Sequence, residues 1–326
     1  MRILYLSSSY VPSRRADGVQ VMRMCAALAR RGHEVRLVTK HCPSRLESEV
    51  ADVHDFYGVP RSFDLVALSR PARRGGGFVF AWRLRRLLAV EREATDLAYC
   101  RDALGAWLAD RARVPFAFEA HVPPQGAPLG WLHRRFLASP RCRALITISD
   151  ALARQLRATL PIRSDLPVVV AADAADPMPA GAADPAPSPP LAEAGDLQVG
   201  YVGQLYPGKG VDLLLALAGL VPASTFHLIG GEDDTLAALR DRGLPANVIL
   251  HGFVPPALLP AYYQRLDVVL LPYQRRVSGA TGRTDLAAWM SPMKMFEAMA
   301  AGKAILASDL PVLREVLAPE DNALLL

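Results

Sequence analysis

At 326 residues, with 51% apolar residues and a mean hydropathy of +0.16, the chain is too long for one ordinary core and reads as two globular domains. No uncharged apolar run reaches about eighteen residues, which excludes a membrane-spanning helix, and Arg2 to Ser9 is too short and strand-like for a signal peptide; a cytoplasmic protein is expected. The net charge of +5 hides an asymmetry: residues 1–170 hold 27 Lys plus Arg against 15 Asp plus Glu, and the remainder 10 against 17.

In chain order, Arg2 to Ser9 is a buried strand followed by a loop through Pro12 and Asp17-Gly18. A helix carrying Val21, Met24, Ala27 and Leu28 runs to Gly32, and Glu34 to Thr39 is the next strand, completing a βαβ unit. The loop lacks G-x-G-x-x-G, so the dinucleotide fingerprint is missing. Arginine pairs at 14–15, 73–74, 85–86 and 134–135 make this half basic. Such a field draws lipid headgroups, phosphorylated acceptors or nucleic acid, the plain alternative being a solvated arginine-rich surface. Asp64 to Leu68 is a strand and Gly75-Gly76-Gly77 a flexible hinge. Phe78 to Val90 is an amphipathic helix of aromatics and arginines, suited either to a lipid interface or to a core with its arginines outside. Leu97 to Cys100, Phe116 to Glu119 and Leu145 to Ile148 are strands, with helices over Arg101 to Ala112 and Ser149 to Leu160. His121 follows a strand's carboxyl end, where open parallel sheets bind ligands, although a lone histidine is commonly structural. Cys25, Cys42, Cys100 and Cys142 are scattered, without disulfide or zinc spacing.

After Val168 to Val170 the composition changes. Residues 173–196 are dense in Pro, Ala and Gly and form the connection between a domain at 1–172 and a second at 197–326. The second half repeats the alternation, with strands over Leu197 to Val202, Phe226 to Ile229, Val248 to Leu250 and Val268 to Leu271. Two tandem Rossmann-like domains facing a cleft follow from that pattern. Gly200-Tyr-Val-Gly-Gln-Leu-Tyr-Pro-Gly-Lys-Gly-Val-Asp places glycines after a strand and Lys209 at a helix start, a pattern able to hold a diphosphate without being a Walker A loop.

Ser291 to Glu315 carries the densest chemistry. Ser291 caps a helix that starts at Pro292 and ends near Gly302; Ala304 to Ala307 is a buried strand; Leu310-Pro311 opens a helix through Val316. The helix mouth, with Ser291, Pro292, Met293 and Lys294, suits phosphate oxygens. Glu297 can accept hydrogen bonds from vicinal hydroxyls, or else pair with Lys294 at the surface. With only four lysines (40, 209, 294, 303) against 33 arginines, Lys209 and Lys294 stand out as compact point charges.

With these motifs together, the chain resembles the retaining glycosyltransferases of family 4, of the GT-B fold. The resemblance rests on the Gly18 loop, Tyr201-Val-Gly-Gln-Leu, Pro-Gly-Lys-Gly-Val-Asp, Leu250-His-Gly-Phe-Val, Leu271-Pro-Tyr and Ser291-Pro-Met-Lys-Met-Phe-Glu-Ala-Met-Ala-Ala-Gly-Lys. It implies a nucleotide-sugar donor, UDP- or GDP-linked, on the C-terminal domain and an acceptor on the N-terminal domain, with no metal. It implies Glu297 on the ribose, Lys209 on the diphosphate with Gly203, Gln204 and Gly18 nearby, His121 near the donor sugar, and Phe253 and Val254 at the base. The acceptor would be a glycan, lipid-linked or small molecule, and the basic domain would face the inner surface of the membrane. Three departures stand out. Trp289 replaces the first Glu of the family's E-x7-E pattern, with Asp285 or Arg283 as substitutes nearby. Gln204 replaces an Arg, and the chain ends at Leu326 before the family's final helices. Rival readings are an inactive relative that binds nucleotide sugar or partners, a GT-B sugar-nucleotide epimerase, and nucleic-acid binding.

Overall fold

The apolar runs of the first half become strands of one parallel sheet. The computed structural model describes residues 1–47, 49–72, 74–178, 196–279 and 284–326. The chain divides into two units, Met1–Ala172 and Asp173–Leu326. The first contains β1 (Arg2–Tyr10), α1 (Ala16–Arg30), β2 (Glu34–His41), α2 (Val53–Tyr57), β3 (Asp64–Ser69), α3 (Gly76–Glu91) and β4 (Leu97–Cys100). It continues with α4 (Ala103–Arg111), β5 (Phe116–Ala120), α5 (Ala127–Leu137), β6 (Cys142–Thr147), α6 (Asp150–Thr159) and β7 (Val168–Val170). The sheet order is β3-β2-β1-β4-β5-β6-β7, with every strand parallel to its neighbours. Helices cover both faces of such a sheet, which is why β5 is buried along its whole length. Asp52, Asp102 and Ser149 accept hydrogen bonds from the first-turn N–H groups of α2, α4 and α6 and fix where these helices start.

The second unit contains β8 (Leu197–Val202), α7 (Val211–Leu220), β9 (Ser224–Ile229), α8 (Asp233–Asp241) and β10 (Val248–Gly252). After these come α9 (Leu259–Arg265), β11 (Val268–Leu271), α10 (Met293–Ala300), β12 (Ala304–Ala307) and β13 (Leu324–Leu325). Its order is β10-β9-β8-β11-β12-β13, again all parallel. On one sheet face Val199, Tyr201, Phe226 and Leu228 pack against Leu214 and Leu236. Each sheet reverses its strand order once, between β1 and β4 and between β8 and β11, and the loops leaving the carboxyl ends diverge there.

Three local expectations are corrected. Helix α10 starts at Met293, with Pro292 as its extended N-cap residue; the Ser291 hydroxyl does not cap it and accepts instead from the Asp173 backbone N–H at 2.9 Å. Beyond Pro311 the chain makes only a single 3-10 turn, Leu313–Glu315, where a longer helix is expected. Gly75 to Gly77 form no hinge. Gly75 caps α3 in a left-handed conformation, and Gly76 and Gly77 lie in its first turn. A Cβ on Gly76 would sit 1.9 Å from the Pro71 carbonyl oxygen, so that glycine is required by packing. Of the expected connection at 173–196, residues 179–195 lie outside the described residues, as do Arg73 and Arg283. All four cysteines are buried and unpaired.

On the other face of the second sheet, His227 donates from Nε2 to Gln198 Oε1 at 2.7 Å and accepts at Nδ1 from His251 Nε2 at 2.9 Å, a tautomer choice dictated by the Gln198 acceptor. Burial pushes both imidazoles down to about 4, aided for His227 by the neighbouring His251. In the unfolded chain both titrate near about 6.5, so the folded state binds fewer protons between these values and loses stability as the pH falls through that window. The melting temperature is therefore expected to drop between about pH 7 and pH 5. In a His227→Gln/His251→Gln variant, measured by circular dichroism, the slope should be shallower; an unchanged slope would remove the pair as the cause.

Candidate functional site

Strand β8 runs into Gly203, whose N–H donates to the Ile229 carbonyl at 2.8 Å and whose φ of +129° favours glycine. A Cβ there would lie 3.0 Å from Lys294 Nζ. The missing side chain thus makes room for the ammonium of a lysine in the first turn of α10. Lys294 Nζ sits 3.6 Å from the centroid of the Tyr201 ring and 5.7 Å from that of Tyr273, while Lys209 Nζ lies 4.9 Å from the Tyr273 centroid. Two tyrosine faces thereby hold two cations beside the strand-order reversal of β8 and β11.

Lys294 Nζ is buried and has no hydrogen-bond partner among the described residues. Burial pushes its pKa well below the ordinary lysine value; the charge of Lys209 pushes the same way and that of Glu297 opposes. Burial also brings Lys209 down to about 8. A ring face returns about 2 kcal/mol to a desolvated cation, less than the several kcal/mol required to bury one. The arrangement therefore favours an anion that supplies the missing oxygen partners.

The Pro207-Gly-Lys-Gly loop presents Lys209 for a packing reason. Gly208 and Gly210 adopt φ of +84° and +83°, and a Cβ on either would come within 2.0 Å and 1.8 Å of the Arg276 and Pro272 carbonyl oxygens. Ser278 N donates to Pro207 O and Gln274 N to Gly208 O. These glycines staple the loop to the segment after β11 and leave Lys209 as the group that faces the site.

Glu297 is buried, and Tyr263 on α9 donates from its hydroxyl to Oε2 at 3.0 Å. The surface pair with Lys294 is thus corrected: both groups lie inside, on one turn of α10. Gln204 follows Gly203, and its backbone carbonyl accepts from the Tyr201 hydroxyl at 2.8 Å. Phe253 and buried Val254 follow Gly252 at the end of β10, joined to the neighbouring loop by a bond from Gly230 N to Gly252 O. Met293 opens α10 behind Pro292 and Ser291. Asp285, suggested as a substitute carboxylate, accepts at Oδ1 from the N–H groups of Val277 and Ala287. The tyrosines that seat the lysines, Tyr201 and Tyr273, stand in the quoted motifs Tyr201-Val-Gly-Gln-Leu and Leu271-Pro-Tyr, but nothing in the sequence marks them as partners of the lysines.

In the first unit, His121 follows β5. Arg101 Nη2 donates to its Nδ1 at 3.4 Å, leaving Nε2–H to donate to Glu119 Oε1. Tyr99 Oη and Gln20 Nε2 donate to the same carboxylate. Burial alone would raise Glu119, but His121, Arg101 and the Tyr99 hydroxyl bring it down to about 2. Burial and the Arg101 charge push His121 below the ordinary histidine value, against the opposing pull of Glu119. Both ring nitrogens are engaged within this unit, an arrangement the sequence reading of a lone cleft histidine did not contain. Gly18 has its own packing reason: a Cβ would lie 2.6 Å from the Tyr57 hydroxyl, which accepts from Ser13 N and donates to Ser13 O, fixing the loop after β1.

The two parallel α/β sheets, the second with a lysine pair and a buried carboxylate beside its strand-order reversal, make a tandem Rossmann-like architecture. Residues 18–171 match the Glycosyltransferase Family 4 model and residues 196–326 the Glycosyl transferases group 1 model. The chain belongs to these GT-B glycosyltransferase families. Among solved structures it is similar to HepE of Anabaena in complex with UDP-glucose (18% identity, TM-score 0.69, 100% of this chain and 85% of that one). It is also similar to sucrose-phosphate synthase of Thermosynechococcus elongatus (17%, TM-score 0.71, 99% and 85%). A protein described as an uncharacterized 42.6 kDa protein in the cps region of Klebsiella pneumoniae is 30% identical over 118 residues, 36% of this chain; the match spans 27% of that relative.

Gly18→Ala is expected to destabilise the protein by about 1–3 kcal/mol in urea unfolding, and Gly18→Ala/Tyr57→Phe by less than the sum of its single changes. Simple additivity would contradict the packing account. Lys294→Met should raise the melting temperature of the ligand-free protein, because it removes a buried amine with no hydrogen-bond partner among the described residues. The gain should shrink as the pH nears about 10, where lysine is neutral in the unfolded chain too. A loss of stability at neutral pH would show that Lys294 is satisfied in some other way.

Proposed function

We propose that the protein is a retaining, metal-independent glycosyltransferase that moves a sugar from a UDP- or GDP-sugar to a glycan, lipid-linked or small-molecule acceptor. The observation that carries this reading is the buried Lys294, which shares the Tyr273 ring with Lys209 beside Gly203. Two ammonium groups at a sheet switch point fit a diphosphate, and Lys294 compensates for Gln204, which stands where the family has an arginine. Glu297, oriented by Tyr263, takes the ribose hydroxyls. Phe253 and Val254, Met293 and the helix mouth behind Ser291 and Pro292 complete the donor side. The UDP-glucose present in the HepE structure supports a uridine donor.

In the reaction the bond between the anomeric carbon and the diphosphate oxygen breaks, and its electron pair leaves with the diphosphate. Lys209 and Lys294 stabilise that developing charge. The acceptor hydroxyl forms the new bond on the face the diphosphate leaves, and its proton passes to a diphosphate oxygen. Inversion at carbon is thereby avoided. Trp289, in place of a carboxylate, favours a second reading in which the site binds nucleotide sugar without turnover.

Thermal shifts with UDP-, GDP-, ADP- and TDP-sugars, with EDTA present, test the donor site. A ligand at 100 times its Kd should add about 2.7 kcal/mol of stability, lost in Glu297→Ala. Release of the nucleotide with an acceptor, and the anomeric configuration of the product by NMR, then separate a retaining enzyme from a silent binder. Donor conversion without acceptor would mark an epimerase, and no shift with any nucleotide would sink the reading.

A further inference from the structure

Helix α3 carries two apolar stripes where a core helix needs one. Phe80, Leu84 and Leu88 are buried in the first unit, as amphipathic packing requires. Phe78 and Trp82 point outward, 84% and 54% exposed, and the Arg86 guanidinium lies 4.9 Å from the centre of the Trp82 ring. At spacings of four residues, Phe78, Trp82 and Arg86 form one outer ridge. Helix α5 repeats the device with Trp131, 56% exposed, under Arg135 at 5.7 Å. Helix α4 packs against both α3 and α5, and right-handed crossovers place all three on one face of the sheet.

Among the described residues, the unpaired charge on α3 and α5 has one sign. Besides Arg86 and Arg135, Arg83, Arg85 and Arg134 are exposed, and among the described residues none of the five takes part in an ion pair. The only acid of α3 is Glu91, which is bound to Arg36, and α5 has none. A protein partner would have to offer carboxylates matched to five separate guanidinium groups. A bilayer with anionic headgroups offers them everywhere, and its interface accepts an indole ring below a guanidinium held at the phosphate level. No described helix is long and apolar enough to cross a membrane, so the mode available is docking in the plane.

We infer that the outer ridge of α3 and α5 docks on an anionic phospholipid surface, with Phe78, Trp82 and Trp131 entering the interface. This stands independently of the donor reading. The test is flotation of the full chain with phosphatidylcholine vesicles and with vesicles containing phosphatidylglycerol, for wild type and for Phe78→Ser/Trp82→Ser/Trp131→Ser. The expected results are binding to the anionic vesicles alone, weakened by salt, with tryptophan emission quenched by brominated lipid. The triple variant should lose about tenfold or more in partitioning while keeping its circular dichroism and melting temperature. No binding to anionic vesicles at low salt, equal binding to neutral ones, or binding undisturbed by the triple change overturns the inference. So does retention on duplex DNA or heparin alone, which would assign the arginines to a soluble polyanion.

Discussion

Parallel strands cannot be joined by a tight turn, so each must return through a crossover, and every loop leaving a carboxyl end gathers at one edge of the sheet. In the second unit that constraint brings Gly203 after β8, the Gly230-Gly231 pair after β9, Gly252 at the end of β10 and Tyr273 after β11 to a common rim. Gly230 is there because the neighbouring loop runs too close for a side chain. A Cβ on Gly230 would meet the Gly203 carbonyl oxygen at 2.4 Å. The crowding that removes side chains from the rim also lets two lysines reach it.

Those lysines are held by aromatic faces, and the choice of holder has chemical consequences. A carboxylate partner would have neutralised the ammonium groups and left little attraction for a ligand anion. Tyr201 and Tyr273 stabilise a cation only weakly, so most of the attraction stays available. Glu297 lies one turn along α10 and is tied to Tyr263. One helix thus carries a buried ammonium and a buried carboxylate three residues apart, each seated on a tyrosine from another element.

Much of this was legible in the sequence because it depends on spacing along the chain. Continuous apolar runs mark parallel strands, and β1, β4, β8, β11 and β12 fall within a residue of where those runs lie. Lys209, Lys294 and Glu297 stand out by residue type against an arginine-rich background. What could not be read depends on contacts between distant segments. That Ser291 accepts from Asp173, that Gly208 is crowded by Arg276, and that Gly18 is crowded by Tyr57 are facts of tertiary packing. In each case a residue with a familiar local use, a cap or a phosphate turn, is claimed by a neighbour far away in sequence.

His121 shows the same limit in its chemistry. From the sequence it is a histidine at a strand end; in the fold it is the middle of a chain from Arg101 to Glu119, with Tyr99 and Gln20 holding the carboxylate. A neutral imidazole with both nitrogens engaged cannot take up a proton without giving up the bond from Arg101. Within the first unit these bonds fix the orientation of the ring and of the Glu119 carboxylate after β5.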